Sequence, residues 1–398
     1  MPFTIEEILY GLYHFSFAIT SPFVSWYFFR LSGGDFFASG LIIAIPYIFL
    51  IFSTGIYGRI SDIIGSKNLI LTSLAFYSTS FVFYYIIHEN VIFFFLAYIC
   101  FNFIFSAFIP AFNRLISFYS IDERAEKFGR LGMMASTGFL IGSIIASVFI
   151  NSRETYRNMF LIAAFIAFIA FLIAFKLNEL RKDSSINSHS PSKIDTISTL
   201  EIPINSSMRP IFLLLTLFMF SQIANSVVIS YFAIFVEDEL KANVSLVAVV
   251  NSIATFLGVF ATYYVGKMVK IFRKKHLVLL ALGLYTILPF ISYIINNSLF
   301  ILCIYCIPLY AIFFVLIPVF ISENSPESRR GESMGFYSSF QYIGLAIGTL
   351  VGGFFASITG LVRQNFLFGA FVGFFAILIC LLFFKEPTNE ISSSSSPQ

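Results

Sequence analysis

Residues 58–67 read Gly-Arg-Ile-Ser-Asp-Ile-Ile-Gly-Ser-Lys, a short polar stretch between two long apolar runs. A chain that crosses a bilayer must turn around in water, and this stretch supplies glycines and charges for a turn. Residues 266–275 read Gly-Lys-Met-Val-Lys-Ile-Phe-Arg-Lys-Lys and again separate two apolar runs. In this alignment Asp62 corresponds to Lys270. The pairing predicts that the chain consists of two repeated halves.

The composition is that of a membrane protein. Hydrophobic residues make up 58% of the 398 residues and charged residues only 11%, with a mean hydropathy of +0.88. Soluble domains have about 45–50% apolar and about 25% charged residues. A soluble fold would leave almost no polar surface to face water, so we expect the lipid bilayer to surround most of the chain.

Twelve apolar runs are long enough for a spanning helix, which needs about 20 residues. Backbone groups in lipid must be satisfied within the segment, so we expect all of them to be helical. The sequence therefore predicts an all-α membrane protein with 12 transmembrane helices in two pseudo-symmetric six-helix bundles. The predicted spans are residues 8–30, 36–58, 68–88, 91–118, 128–150, 156–178, 209–236, 243–267, 276–295, 299–321, 333–358 and 364–384.

Two polar segments divide the chain. Residues 179–208 are rich in Ser, Asn and charge and cannot bury enough surface to fold alone, so they are predicted to be a linker. The predicted N-terminal bundle is 1–178 and the predicted C-terminal bundle is 209–385. Residues 386–398 contain a run of serines and are predicted to form a disordered tail.

Most Lys and Arg residues fall on the side of the predicted membrane that carries both termini and the linker. By the positive-inside rule that side is cytoplasmic. We therefore expect a multi-pass protein of the cell (cytoplasmic) membrane with both termini in the cytoplasm. The basic residues on the opposite side are Arg30, Arg153, Arg157, Lys241 and Arg363.

The repeat continues beyond the opening stretch, since Arg124 aligns with Arg330 and Gly138 with Gly344. Two parallel six-helix repeats are an architecture of transporters that rock about a central site. Over its whole length the chain resembles the major facilitator superfamily (MFS) and, within it, drug exporters. The resemblance rests on Gly58-x-x-x-Asp62-x-x-Gly65-x-Lys67, on Pro110-Ala-Phe-Asn, on Asp122-Glu-Arg124 with Gly129, and on Glu327-Ser-Arg-Arg330 with Gly335.

The resemblance implies that the polar stretch is a cytoplasmic gate. Asp62 would face the N-terminus of the eleventh helix, whose partial positive charge favours a carboxylate by about 0.3–1 kcal/mol. Because Lys270 replaces this aspartate in the second copy, we expect an asymmetric latch. The alternative, which we favour for the basic residues, is a turn that merely obeys the positive-inside rule. The candidate gating residues are Gly58, Arg59, Asp62, Gly65, Lys67, Gly331 and Glu332.

The chain departs from proton-coupled drug exporters at two places. Many of them carry an arginine early in the fourth helix, and that position falls on Tyr98 here. Ser143 stands where antiporters carry a proline in the glycine motif of the fifth helix, so Gly138 and Gly142 are expected to serve close helix packing. These departures weaken the assignment to proton-coupled antiporters.

Ionisable side chains at mid-membrane cost about 2.5–3.5 kcal/mol on insertion scales and are therefore functional candidates. We find no Asp or Glu near the middle of a predicted span, and His14 is the titratable group there. His14 is a candidate for proton coupling, or for a hydrogen bond to a neighbouring helix.

The uncharged polar residues are candidates for a substrate cavity, or for helix–helix hydrogen bonds worth about 0.6 kcal/mol on average. The candidate cavity residues are His14, Asn102, Gln222, Asn225, Asn251 and Gln341.

These features predict a secondary active transporter that moves a small organic solute by alternating access. Efflux of amphipathic, drug-like compounds suits an aromatic cavity with few charges. The alternative is uptake or facilitated transport of a neutral polar solute such as a sugar. A hypothesis from a different functional class is a non-transporting membrane sensor or scaffold. An enzyme would need a nucleophile, metal ligands or paired acids at membrane depth, and we find none. We therefore expect no catalytic residues, no metal, no cofactor and no nucleic-acid partner, with a monomer that binds a small molecule, the lipid bilayer and, through His14, protons.

Overall fold

In a computed structural model the described residues form 12 helical units, and the predicted all-α membrane fold is confirmed. The structure describes residues 3–117, 121–177, 209–324 and 330–384, and these contain helices and no β-strand. The N-terminal units are α1 (Ile5–Thr20, the 3₁₀ turn Ser21–Phe23 and Val24–Leu31), α2 (Phe36–Ile64), α3 (Ser66–Ile86), α4 (Val91–Phe105 and Phe108–Ser117), α5 (Ile121–Phe149) and α6 (Arg153–Ala174). The C-terminal units are α7 (Arg209–Ile229, Phe232–Ile234 and the π turn Phe235–Glu239), α8 (Leu246–Ile271), α9 (Lys274–Ile294), α10 (Ser298–Tyr305 and Tyr310–Asn324), α11 (Arg330–Thr359) and α12 (Arg363–Phe383).

Ten of the helical units contain a segment long and apolar enough to cross a membrane by itself within the described residues. The unit α1 is divided by its 3₁₀ turn, and α2 contributes the shorter apolar helix Phe36–Phe52. Many large apolar side chains on these helices are exposed, as expected of surfaces that face lipid.

The two bundles repeat one packing scheme. Helix α1 packs on α5 as α7 packs on α11, and α3 packs on α6 as α9 packs on α12. Between the bundles, α2 packs on α11 and α5 packs on α8. The fifth helix of each repeat therefore contacts the other half, which places it beside the other half's interior.

Glycines at matching positions make the α1–α5 and α7–α11 contacts possible. A Cβ added at Gly138 would lie 2.1 Å from the carbonyl oxygen of Gly11, and one at Gly344 would lie 2.7 Å from the Cβ of Gln222. Small residues allow helix backbones in membranes to approach closely. The aligned glycines Gly138 and Gly344 thus serve helix packing in their respective halves.

The first and fourth helices of each half are interrupted along their length. In α4 the break is at Ser106, four residues before Pro110, and a proline ring clashes with the carbonyl four residues earlier. The break in α10 includes Pro308, and the 3₁₀ turn in α1 includes Pro22. Helix α7 is interrupted after Ile229 without a proline.

The opening polar stretch is more helical than predicted. Helix α2 runs to Ile64, so the predicted end at residue 58 is wrong, and the break falls at Gly65. Gly65 has a φ of 86°, a conformation that glycine adopts at little cost and other residues rarely adopt. The turn between α2 and α3 is therefore made by one glycine.

Two lysines at matching positions of the repeat make equivalent contacts, each with the C-terminal end of the last helix of its own bundle. Lys67 Nζ donates to the backbone oxygen of Phe175 at 2.8 Å, just after the end of α6. Lys275 Nζ donates to the backbone oxygen of Leu381 at 3.4 Å, in the last turn of α12. Positive charge stabilises the exposed carbonyls at a helix C-terminus. Lys67 thus has a structural contact within its own half.

Candidate functional site

One cavity lies in the N-terminal bundle. Its volume is about 440 Å³, within the range of about 300–1,000 Å³ that holds small organic ligands. Side chains from α1, α2, α3, α4 and α6 line it, and Gln341 and Tyr342 on α11 complete it from the other half. We call it the N-cavity. It lies beside the interruptions of α1 and α4, since Ser21 and Ser106 are among its lining residues.

The N-cavity is aromatic and uncharged. None of its lining residues in the described part of the chain is Asp, Glu, Lys or Arg. Its polar atoms come from hydroxyl groups, from the amides of Asn102 and Gln341, and from the imidazole of His14. Charged ligands would find no counter-ion there, and an unpaired charge in an apolar site is costly. Its tyrosines are Tyr13, Tyr47, Tyr77, Tyr84, Tyr98 and Tyr342.

The imidazole of His14 is held in place by its own helix. Its Nδ1 lies 2.9 Å from the backbone oxygen of Tyr10, which can only accept, so Nδ1 carries the proton of the neutral ring. The rings of Tyr10 and Tyr13 pack against it at centroid distances of 4.6 Å and 5.1 Å. Nε2 is therefore the nitrogen that can accept a hydrogen bond or a proton.

The amide of Asn102 is buried in the N-cavity just before the break of α4. The side chain is 4% exposed, and its Nδ2 donates to the backbone oxygen of Tyr98 at 2.8 Å. This contact orients the amide on its own helix. It leaves the amide oxygen to accept from other groups.

A smaller cavity lies in the C-terminal bundle, and we call it the C-cavity. Its volume is about 240 Å³, and α7, α8, α9 and α10 line it with Asn225 and Asn251 among its polar residues. Phe139 on α5 completes it from the other half, as α11 completes the N-cavity. The two cavities are thus related by the sequence repeat.

Five of the six candidate cavity residues are divided between these two sites. His14, Asn102 and Gln341 line the N-cavity, and Asn225 and Asn251 line the C-cavity. Gln222 lines neither cavity and is buried where α7 packs on α11. The structure therefore brings together subsets of the candidates and not the whole set.

The halves are tied by charged side chains at the membrane face opposite the end of α6 and the start of α7, which we call the far side. Arg30 at the end of α1 donates to Glu237 on the π turn of α7, with Nη2 at 2.5 Å and Nε at 3.1 Å. Arg30 also pairs with Asp238, and the indole of Trp26 donates to Glu237. We call these four residues the far-side seal.

Neighbouring contacts fix the position of the seal. The Glu239 carboxylate accepts from the backbone N–H groups of Val362 at 2.5 Å and Arg363 at 3.1 Å. This caps the start of α12 and holds the π turn in place. Asn243 donates to Asn151 at 3.2 Å, which adds a second contact between the halves on this side.

The seal was not among the sequence candidates. Arg30 was counted only as one of the few basic residues on the far side. The sequence contained one signal for this contact. A basic residue, Arg30, ends the first span, and an acidic run, 237–239, ends the corresponding first span of the second half. The two ends are about 200 residues apart in the chain, and only the fold brings them together.

The candidate cytoplasmic gate lies largely outside the described residues. Nothing is described for the side chains of Gly58, Arg59, Asp62, Gly331 and Glu332. Gly65 and Lys67 are described, and they make the turn and the helix-end contact given above. The gating role of Asp62 stays a prediction.

Two six-helix repeats, interrupted helices around internal cavities and a charged seal between the halves define a membrane transporter. The sequence profile of the Major Facilitator Superfamily matches residues 8–341 and, in a second match, residues 214–398. The chain therefore belongs to the Major Facilitator Superfamily, and the resemblance seen in its motifs is confirmed.

The chain is similar to two curated members of this family. It is 24% identical over 361 residues to "Multidrug resistance protein 2" of Bacillus subtilis (strain 168), a match that covers 89% of this chain and 88% of that protein. It is also 24% identical over 319 residues to an uncharacterised MFS-type transporter of Methanocaldococcus jannaschii, covering 77% and 79%.

Solved structures with the same fold include transporters of several kinds. A variant of the nucleoside transporter NupG matches with a TM-score of 0.77 and 15% identity, covering 96% of this chain and 100% of that chain. A D-xylose-proton symporter matches with a TM-score of 0.76 and 16% identity, covering 96% and 97%. At such identities the matches establish the fold alone.

Proposed function

We propose that this transporter exports uncharged, amphipathic aromatic solutes by alternating access. The observation that carries the proposal is the lining of the N-cavity, which combines six tyrosines with amide and hydroxyl groups and has no charged side chain among the described residues. Ligand sites of this kind bury aromatic surface and use a few polar groups for orientation. The similarity to a multidrug resistance protein supports export as the direction.

The far-side seal supports a cycle in which the two halves rock about the cavities. With Arg30 bound to Glu237 and Asp238, the halves are held together on the far side. Export requires a second state in which these contacts are broken and the cavity opens to that side. The predicted cytoplasmic latch at Asp62 would form in that second state, so the two contacts would alternate.

A second candidate function is uptake of a neutral polar solute such as a sugar. The amides of Asn102 and Gln341 and the hydroxyls of the N-cavity could bind sugar hydroxyls. Aromatic rings also stack on sugar faces, so the lining suits both classes of solute. The direction of net flux and the preferred solute distinguish them.

Proton coupling through His14 is part of the same proposal. Its Nδ1 is engaged with the backbone oxygen of Tyr10, so Nε2 is the ring nitrogen that can take a proton within the N-cavity. We expect His14→Gln to remove the dependence of export on a proton gradient and to leave exchange of solute along its own gradient. Export by His14→Gln that still collapses with a protonophore would assign coupling to another group.

The proposal is tested by solute accumulation in a bacterium that lacks its own drug exporters. Cells that express the protein are loaded with chloramphenicol (uncharged and aromatic), ethidium (a permanent cation) or D-xylose (a neutral sugar). Asn102→Leu removes the amide of the N-cavity, and Asn225→Leu makes the same change in the C-cavity as a matched control.

We expect chloramphenicol accumulation to fall below that of cells without the protein, and Asn102→Leu to abolish the fall while Asn225→Leu retains it. Ethidium accumulation should not change. Increased D-xylose accumulation with unchanged chloramphenicol would replace export by sugar uptake. Wild-type protein that changes the flux of no solute in a wider panel would favour the non-transporting sensor or scaffold.

A further inference from the structure

One face of α3 presents two tyrosines to the N-cavity. Tyr77, Ser80 and Tyr84 are spaced by three and four residues, so they lie on one side of the helix. Tyr77 is 3% exposed and Tyr84 is 2% exposed. At 1.5 Å per residue their Cα atoms lie about 10 Å apart along the helix. The N-cavity therefore reaches α3.

The hydroxyl groups of Tyr77 and Tyr84 are buried and make no hydrogen bond of good geometry within the described part of the chain, although the side chain of Ser16 lies near Tyr77 and those of Ser80 and Asn102 lie near Tyr84. Ser80 between them is satisfied, because its Oγ donates to the backbone oxygen of Tyr77 at 2.7 Å. A buried hydroxyl without a partner is costly, and folded proteins rarely keep one. These two hydroxyls can therefore donate hydrogen bonds to a ligand that enters the cavity.

Two buried tyrosines away from the cavities have hydrogen-bond partners, whereas Tyr305, whose hydroxyl also makes no hydrogen bond within the described residues, lines the C-cavity. The hydroxyl of Tyr156 donates to the backbone oxygen of Thr20 at 2.9 Å, and that of Tyr231 donates to the backbone oxygen of Thr349 at 2.7 Å. Neither tyrosine is among the residues that line the two cavities. The unsatisfied hydroxyls of α3 are thus associated with the cavity and are not a general property of the tyrosine-rich interior.

Packed rings hold these hydroxyls in fixed positions. The ring of Tyr84 lies 5.6 Å from that of Tyr98 and 5.7 Å from that of Phe160, and the ring of Tyr77 lies 5.2 Å from that of Tyr13. Such a frame offers flat apolar walls with a hydroxyl set into them. Its complement is a flat ring with a polar edge.

We propose that Tyr77 and Tyr84 form a subsite that selects uncharged, planar aromatic solutes carrying a hydrogen-bond acceptor such as a carbonyl. The phenol hydroxyls donate to the acceptor, and the surrounding rings pack on the aromatic faces. The subsite rests on the proposed function, since it assigns the polar contact within the same cavity. A single acceptor contacts one hydroxyl, and a solute with two acceptors contacts both.

The test compares 9-fluorenone with fluorene, which share a planar ring system and differ in the carbonyl. Tritiated forms of both are bound to the purified full-length protein in nanodiscs, so that partition into lipid is matched. The variants are Tyr77→Phe, Tyr84→Phe and their double variant, and Tyr156→Phe is the control. Each change removes one hydroxyl and keeps the ring.

We expect wild-type protein to bind fluorenone about 3- to 10-fold more tightly than fluorene, the value of one net hydrogen bond. The double variant should lose this preference without a fall in melting temperature, because it removes groups that have no partner. Tyr156→Phe should keep the preference and lower the melting temperature, because it removes a formed hydrogen bond.

Two outcomes overturn the subsite. One is a wild-type protein that binds both probes equally or binds neither, and the other is a preference that survives in the double variant. The binding assay needs no transport. If cells show export and either outcome is found, the subsite is refuted and the proposed function stands. If cells show no flux of any solute and the purified protein still prefers fluorenone over fluorene, only the proposed function is refuted.

Discussion

Removing the positive charge of the far-side seal is predicted to open the far side. Arg30 contacts both Glu237 and Asp238, and Arg30→Gln would leave these two acids side by side without a counter-ion. Because transport proteins exchange between states of similar free energy, a loss of this size changes their populations directly. Glu237→Gln and the double variant complete a thermodynamic cycle for the main pair.

The magnitude follows from the exposure of the three side chains. They are 33–35% exposed, so each pair is screened by water and is worth about 0.5–1 kcal/mol, as for surface pairs. Two pairs on one guanidinium give about 1–2 kcal/mol for Arg30→Gln, or a population change of about 5- to 30-fold. The coupling between Arg30 and Glu237 in the cycle should be about 0.5–1 kcal/mol.

The assay is a distance measurement by pulsed electron paramagnetic resonance in nanodiscs. Spin labels at Glu89 and Ile294, exposed residues on the far side of the two halves, report the separation of the bundles there. We expect the long-distance population to grow in Arg30→Gln, and to grow less at high salt, where the wild-type seal is itself weakened. A distribution that stays unchanged in Arg30→Gln, with a coupling below about 0.3 kcal/mol, would refute the seal as an energetic contact.

Three further predictions test the repeat and the gate. Gly348→Leu should destabilise the protein by at least about 1–3 kcal/mol, because even a Cβ at this position would lie 2.2 Å from Ser226 Oγ. Gly335 has open space around it, so Gly335→Leu should leave the melting temperature in nanodiscs nearly unchanged. Asp62→Asn should slow solute flux without lowering expression or melting temperature, and unchanged flux would contradict its gating role. Lys67→Met and Lys275→Met should each cost about 0.3–1 kcal/mol by exposing a helix end, measured as a small fall in melting temperature that is similar for the two.

The sequence predicted the features that depend on hydropathy and on local spacing. Twelve spans followed from apolar length, and the repeat followed from aligned glycines such as Gly138 and Gly344, which pack as their spacing required. His14 and Asn102 were candidates for a substrate cavity because of their polarity within apolar spans, and both line the N-cavity, while their contact with a substrate stays a prediction. These predictions rest on properties that each segment carries by itself.

The features that the sequence did not predict depend on contacts between distant segments. The division of the polar residues into two cavities depends on which face of α7 turns toward α11, and Gln222 turns to the helix contact while Asn225 reaches the C-cavity. The break in α7 contains no proline, so the sequence did not predict it. The pairing of Arg30 with Glu237 requires the ends of α1 and α7 to meet, which no local pattern encodes.

The interruptions of α1 and α7 connect the cavities to the seal. In α1, Ile5–Thr20 carries His14 to the N-cavity, and Val24–Leu31 carries Arg30 to the seal. Helix α7 repeats the arrangement, with Asn225 at the C-cavity before its break and Glu237 in the seal after it. A ligand shifts a conformational equilibrium only by binding the two states with different free energies. We propose that the short turn between the two segments lets a ligand that packs against the first segment change the angle of the second, which would link ligand binding in the cavities to opening of the far-side seal.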